Sequence, residues 1–220
     1  MELIADIIYK LVAIIIRTIF FFNGGIEAAG KENIPKEGVI IASNHISYLD
    51  PPIIGSVTPM RCNFMARKDL FDVPILGWMI KYAAFPVDRD KPRASTIKEA
   101  VKRVRSGHIV VVFPEGTRSE TGELQEPKPG IGMVAVMSRA PIVPAYITGT
   151  DKALPTGARW LKRAKIKVVF GKPIYYTSTE ESGGRSGHGK REEVSMVIMD
   201  AIRELKVGGS TVSFNGRNDG

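Results

Sequence analysis

The chain has 220 residues, 44% hydrophobic and 25% charged, enough for one domain with a substantial core and too balanced for a disordered or fibrous protein. Its net charge of +8 favours a polyanionic partner: phosphate ligands, an anionic membrane or nucleic acid. A single cysteine, Cys62, excludes an internal disulfide; His45, His108 and His188 are too scattered for an H-E-x-x-H pattern, so no metal site is expected.

Residues 3–22 are nearly all apolar, interrupted by Asp6, Lys10 and Arg17. At 100° per residue these three fall within a wedge of roughly 40°. The segment therefore reads as one helix with a narrow polar stripe and a very wide apolar face, ended by Asn23-Gly24-Gly25. Its length would suffice for a membrane span, but three ionisable groups oppose one. Glu2, Asp6 and Arg17 oppose a signal peptide. A helix lying in the headgroup plane with its stripe toward water fits; packing on the protein's own core is the alternative. The expected division is residues 1–25 as an interface helix, 26–206 as an α/β domain and 207–220 as a loose tail.

Residues 30–38 are a polar, turn-rich entry to an apolar run at 39–42, which reads as a short buried strand. Ser43-Asn44-His45-Ile46-Ser47-Tyr48-Leu49-Asp50 then forms a polar turn, and Pro51-Pro52 opens a short helix over 53–57. Residues five apart would be about 140° out of register on an ideal helix, so the turn must fold back if His45 is to meet Asp50. In that case the carboxylate holds one ring N–H and leaves the other nitrogen to take a proton, the base-and-orienter half of a Ser-His-Asp arrangement. The alternative is a buried loop histidine beside a helix-capping aspartate. Residues 62–66 read as strand, with Asp69 as N-cap of a helix over 70–82. Residues 85–88 are strand-like. Ile97, Ala100, Val101 and Val104 recur at helical spacing, Thr96 and Glu99 match a capping box, and Gly107 stops the helix.

Residues 109–113 are a continuous β-branched run, read as a central buried strand, followed at once by Pro114-Glu115-Gly116-Thr117-Arg118-Ser119. Residues 128–139 read as helix and 141–147 as strand, with Pro144 tolerated only at an edge or bulge. Residues 159–167 are strongly basic around Trp160, 166–171 are the last strand, 177–190 are rich in Gly and Ser, and 191–206 are amphipathic. The alternation predicts an α/β fold with a mostly parallel or mixed central sheet flanked by helices. Open sheets of this kind take ligands at the carboxyl ends of their strands.

Four stretches stand together in order: Asn44-His45-x4-Asp50, Phe85-Pro86-Val87-Asp88-Arg89, Phe113-Pro114-Glu115-Gly116-Thr117-Arg118 and Ala140-Pro141-Ile142-Val143-Pro144. They resemble the four motifs of the glycerolipid acyltransferases, most nearly the bacterial 1-acyl-sn-glycerol-3-phosphate type, over residues 38–173. Arg67-Lys68-Asp69-Leu70 resembles a further element between the first two motifs. Ala83-Ala84 departs from the glycine usual before the second. The resemblance implies transfer of an acyl chain from a thioester, acyl-CoA or acyl-ACP, to the sn-2 hydroxyl of lysophosphatidate. No bound cofactor is expected. The implied partners are membrane lipids, with acyl carrier protein as a second partner, through peripheral or monotopic association at the cytoplasmic face; no nucleic-acid reader motif occurs.

On this reading His45 is the general base and Asp50 orients it. Arg118, then Lys68 and Arg89, would hold the acceptor phosphate, each with a surface ion pair as its alternative. Asn44, Ser47, Glu115, Gly116 and Thr117 complete the substrate-binding or structural motif residues. Backbone N–H groups near Gly116 or at the Pro51 helix start are the candidate oxyanion donors. Glycerol-3-phosphate or another lyso-lipid as acceptor, a thioesterase using the same pair, a Cys62 acyl-enzyme and a basic membrane-binding module remain as rivals.

Overall fold

In the computed structural model, which describes residues 2–74, 77, 80–87, 94–176 and 187–208, two apolar runs set the centre of the sheet. Strands β2 (Val39–Ser43) and β5 (Ile109–Val112) are buried at every position and pair in parallel, Val39 opposite Ile109 through Ala42 opposite Val112. Only a strand covered on both faces tolerates such unbroken apolar sequence. Five more strands complete the sheet: β1 (Ile26–Ala29), β3 (Cys62–Arg67), β4 (Ala84–Val87), β6 (Ile142–Thr148) and β7 (Ile166–Phe170). The order is β1-β7-β6-β2-β5-β3-β4.

Helices cover both faces: α1 (Glu2–Phe22), α2 (Asp50–Val57), α3 (Ala94–Arg105), α4 (Pro129–Ser138), α5 (Thr150–Ala153) and α6 (Gly187–Gly208). Successive strand residues point to opposite faces, so Val39 and Ile41 join a core with Phe20, Ile53 and Ile54. Ile40 and Ala42 join one with Val101, Val104, Val134 and Ile198.

Strand direction decides where function can sit. Strands β6, β2, β5, β3 and β4 are mutually parallel, so their carboxyl ends share one edge. Strand β7 is antiparallel to β6 and parallel to β1. The amino ends of β1 and β7 therefore lie on that same edge. They bring with them the end of α1 and the loop 154–165, which are tied together by Ala164 N–H to Asn23 O and Ile166 N–H to Gly25 O, each 3.0 Å.

Several local expectations change. Strand β1 and helix α5 lie in stretches without a strong apolar period. Helix α2 begins at Asp50, with both prolines in its first turn, and α3 begins at Ala94, which puts Thr96 inside the helix and not at its cap. Asp69 lies in a 3-10 turn, Lys68–Phe71, while residues 75, 76, 78 and 79 of the expected helix lie outside the described residues. Helix α6 starts before residue 191. Pro144 sits in an interior strand, not at an edge. Its missing N–H falls where the β7 side is interrupted, between the Ile142–Ile174 bridge and the Ala145–Phe170 pair; its carbonyl accepts from Gly171 N at 2.8 Å.

Helix α1 also differs. Its polar stripe lies beside the packed face: Arg17 Nε donates to Ser56 O at 2.6 Å and Asp6 pairs with Arg61 at 3.3 Å, while Lys10 is exposed. Tyr9 joins this seam, its hydroxyl donating to Gly55 O at 3.0 Å and accepting from Cys62 N–H. Phe20 is buried in the core, while Ile7, Leu11, Ile14, Ile15, Phe21 and Phe22 face outward. Ala5, Ile16 and Phe20 pack inward, so one apolar face meets the core in the usual way and a second apolar face is left outside.

Candidate active site

The turn after β2 folds back as the pairing of His45 with Asp50 requires. His45 Nδ1 lies 2.8 Å from Asp50 Oδ2. That same oxygen accepts from Ile46 N–H at 2.7 Å and Ser47 N–H at 2.8 Å. The other oxygen, Oδ1, accepts from the Thr150 hydroxyl at 2.6 Å. Asp50 is fully buried and His45 nearly so. Four donors converge on one carboxylate, which can only accept; the imidazole proton is thereby held on Nδ1, and Nε2 is left for proton transfer. The ring stacks on Phe113, centroids 4.1 Å apart, so the base is held in plane as well as in tautomer.

Glu115 clamps the β5 turn to the histidine. Its Oε1 accepts from His45 N–H at 2.8 Å and its Oε2 from Gln125 N–H at 3.0 Å. In return Ser119 N–H donates to His45 O at 2.7 Å. Burial pushes the Glu115 carboxyl above its ordinary range, opposed by the two backbone donors and by the nearby His45. Asn44 extends the sheet with its side chain: Nδ2 donates to Ile147 O at 3.0 Å and Oδ1 accepts from Ile147 N–H at 2.7 Å. Ser47 Oγ accepts from Leu49 N–H. These three side chains build the turn that presents the dyad.

Arg118 lies over the exposed Tyr48 ring, guanidinium carbon 3.5 Å from the centroid, a cation–π contact that orients the fork. Tyr48 belongs to the β2 turn and Arg118 to the β5 turn, so the two turns meet on the shared edge. Gly116 holds φ +71°, where a Cβ would press the Lys128 side chain at 2.9 Å; Thr117 beside it is exposed. Lys68 is exposed at the end of β3, two strands from β2 and so about 10 Å along the edge. Arg89 lies outside the described residues.

Two of the backbone N–H groups near the expected oxyanion positions are engaged within the fold. Gly116 N–H is committed to Phe113 O at 3.0 Å, and at the α2 start Ile53 N–H is committed to Leu49 O at 3.0 Å, while the prolines between carry no N–H. Cys62 is fully buried beside Thr58 Oγ1 at 3.1 Å, and burial pushes its thiol up to about 11. That environment suppresses the thiolate a nucleophile needs.

Thr150 was not visible as a site residue from sequence. It lies a hundred residues from its partner, at the start of the short helix α5, in a stretch without a strong apolar period. Only Gly149, with φ +87° against the Lys165 carbonyl, hints that β6 must turn sharply there.

Comparison with known proteins completes the picture. Residues 25–148 match the family model described as Acyltransferase. The chain is 36% identical over 170 residues to the 1-acyl-sn-glycerol-3-phosphate acyltransferase of Bacillus subtilis (strain 168), covering 76% of this chain and 82% of that protein. It is 34% identical over 152 residues to 1-acyl-sn-glycerol-3-phosphate acyltransferase BAT2, chloroplastic, of Brassica napus, covering 66% of this chain and 44% of that longer protein. The crystal structure of the 1-acyl-sn-glycerophosphate (LPA) acyltransferase PlsC from Thermotoga maritima superposes with a TM-score of 0.70 at 27% identity, over 90% of this chain and 80% of that one.

Proposed function

Because this chain belongs to the acyltransferase family, we propose that it moves a fatty acyl chain from an acyl thioester to the sn-2 hydroxyl of 1-acyl-sn-glycerol-3-phosphate, giving phosphatidate. The observation that carries the reading is the buried His45–Asp50 pair at 2.8 Å on the carboxyl edge of the sheet. A secondary alcohol is a weak nucleophile at neutral pH and gains about 10²–10⁴-fold from a positioned base. His45 Nε2 takes the hydroxyl proton as the oxygen bonds to the thioester carbonyl carbon. Asp50 holds Nδ1–H and stabilises the imidazolium. When the tetrahedral adduct collapses, the C–S bond breaks and the imidazolium returns the proton to the departing thiolate. Base and acid are then the same group, and no proton is left over.

In this reading Arg118 receives the acceptor's phosphate, since a guanidinium fork matches phosphate oxygens in pairs. Lys68 and Arg89 are the secondary cations. The donor is acyl-CoA or acyl-ACP. Among the described residues no helix is long and apolar enough to cross a membrane, and the outward face of α1 is isoleucine, leucine and phenylalanine. Such a helix rests in the interface with that face in lipid, and soluble donors place the enzyme at the cytoplasmic face as a peripheral protein.

The test is purified protein with a panel of lyso-lipids and glycerol-3-phosphate, each with acyl-CoA and acyl-ACP, products read by mass spectrometry. Phosphatidate formed from lysophosphatidate supports the reading. Free thiol released as fast without acceptor as with it would make the protein a thioesterase instead.

A further inference from the structure

The loop between α5 and β7, residues 154–165, carries Arg159, Lys162, Arg163 and Lys165 and no acidic residue. Two of its apolar side chains stand in the open: Trp160 is 83% exposed and Leu161 is 40% exposed. A tryptophan left outside the core among basic residues points to a surface that meets something apolar. Lys165 is paired with Glu27 at 2.5 Å. Arg159, Lys162 and Arg163 are exposed, and among the described residues no acidic group pairs with them.

The fold places this loop beside a second exposed aromatic group. Ala164 N–H bonds to Asn23 O, immediately after Phe21 and Phe22. Those two rings pack edge to face, 5.2 Å apart, and each is 77% exposed. Gly24 passes so close to the Ala164 backbone that a side chain there would collide with it, so loop and helix end are held at a fixed separation. Both lie on the sheet edge where β2 delivers His45 and Asp50, because β1 and β7 run opposite to β2.

We propose that the Trp160 loop is a second membrane-contact surface, in which Trp160 and Leu161 enter the headgroup boundary while Arg159, Lys162 and Arg163 engage anionic lipid phosphates, so that the active-site edge faces the bilayer. The inference rests on the proposed lipid substrate and goes beyond α1, whose outer face carries no such cluster of cations. One helix alone leaves the protein free to roll about its axis; a second contact on the catalytic edge removes that freedom. Aromatic residues among basic ones suit the boundary between headgroups and chains. An acidic carrier protein would satisfy the charges but gives no reason for an exposed tryptophan on the same edge as an exposed phenylalanine pair.

The experiment uses the full chain with sedimentable vesicles of pure phosphatidylcholine or with about a third phosphatidylglycerol. Each basic residue near an anionic surface contributes about fivefold in partition, so R159Q/K162Q/R163Q should bind anionic vesicles on the order of 10- to 100-fold more weakly and neutral vesicles unchanged. The substitutions are on exposed side chains, and acyl transfer in detergent micelles should persist in the variant. Separately, brominated lipid should quench the part of the tryptophan emission that W160F removes. Unchanged anionic binding in the triple variant, or Trp160 emission indifferent to brominated lipid, would overturn the proposal. So would a variant that keeps vesicle binding but needs far more acyl-ACP, since the loop would then dock the carrier protein. Vesicle binding is read without any acyl transfer, so failure of the proposed reaction in micelles is distinguishable from failure of this surface.

Discussion

Removing the Thr150 hydroxyl tests whether the dyad is built by tertiary structure or by its own turn. Thr150→Val keeps the shape and deletes the single donor to Asp50 Oδ1 among the described residues, a bond of 2.6 Å between fully buried groups. A hydrogen bond to a charged group is worth about 1.5–3 kcal/mol, and here the lost partner leaves a buried carboxylate oxygen short of one donor. For a domain of this size each kcal/mol moves Tm by about 2–4 °C, so the variant should melt roughly 3–12 °C lower. Catalysis should fall about tenfold. The three donors on Oδ2 remain, so the loss should stay below the ~10²-fold of a full 1 Å misplacement. Because Thr150 touches the orienter and not the substrates, the loss should appear in kcat with KM for donor and acceptor unchanged. Thr150→Ser should restore most of the rate. The assay is steady-state transfer in micelles, with melting followed by circular dichroism. A Thr150→Val enzyme with wild-type kcat, or one that Thr150→Ser fails to rescue, would refute the reasoning and leave Thr150 a helix-start residue without influence on the dyad.

His45→Ala should lose at least about 10²-fold in kcat while vesicle binding persists; more than about a tenth of wild-type rate would remove His45 from the mechanism. Arg118→Ala should raise KM for a phosphate-bearing acceptor by roughly 10- to 150-fold, Arg118→Lys by less, and neither should act as strongly on an acceptor without phosphate; equal losses on both would move the phosphate site elsewhere. Because Glu115 binds its proton more tightly folded than unfolded, this group makes the fold more stable as pH falls through its raised value and levels off below the ordinary carboxylate range. The stability margin of wild type over Glu115→Gln, read from urea titrations at pH 7 and pH 5, should therefore widen at pH 5; a margin that narrows would contradict the raised value. Cys62→Ser should retain most activity, and iodoacetamide at pH 8 should label Cys62 only in urea, as expected of a thiol pushed up to about 11.

Much of this protein was legible along the chain because its signals are local. The unbroken apolar runs of β2 and β5 read as buried strands, the second as a central one. The apolar residues of α3 recur at one spacing. Pro51-Pro52 marks a helix start whatever surrounds it, and the polar turn before it holds both His45 and Asp50, so a partner five residues away was within sight. Residues 3–22 likewise announced a helix with a 40° polar stripe.

The direction that stripe takes was not in the sequence. Asp6, Tyr9 and Arg17 are engaged along one seam by the Gly55 and Ser56 carbonyls of α2 and by Arg61 just before β3, and those groups meet α1 only in the folded chain. Strand β1 is recognisable only by its pairing with β7, since Ile-Glu-Ala-Ala has no period of its own. Pro144 is admissible inside the sheet only because β7 breaks its pairing at that one residue. The donor that completes Asp50 arrives from Thr150, a hundred residues away, where antiparallel β6 and β7 force a turn onto the same edge as the dyad. Propensity and periodicity act over a few residues, and they name the strands and the reactive side chains. The order and direction of strands are set by which apolar faces can be buried together, and that order alone decides which distant hydroxyl, cation or aromatic ring stands beside His45.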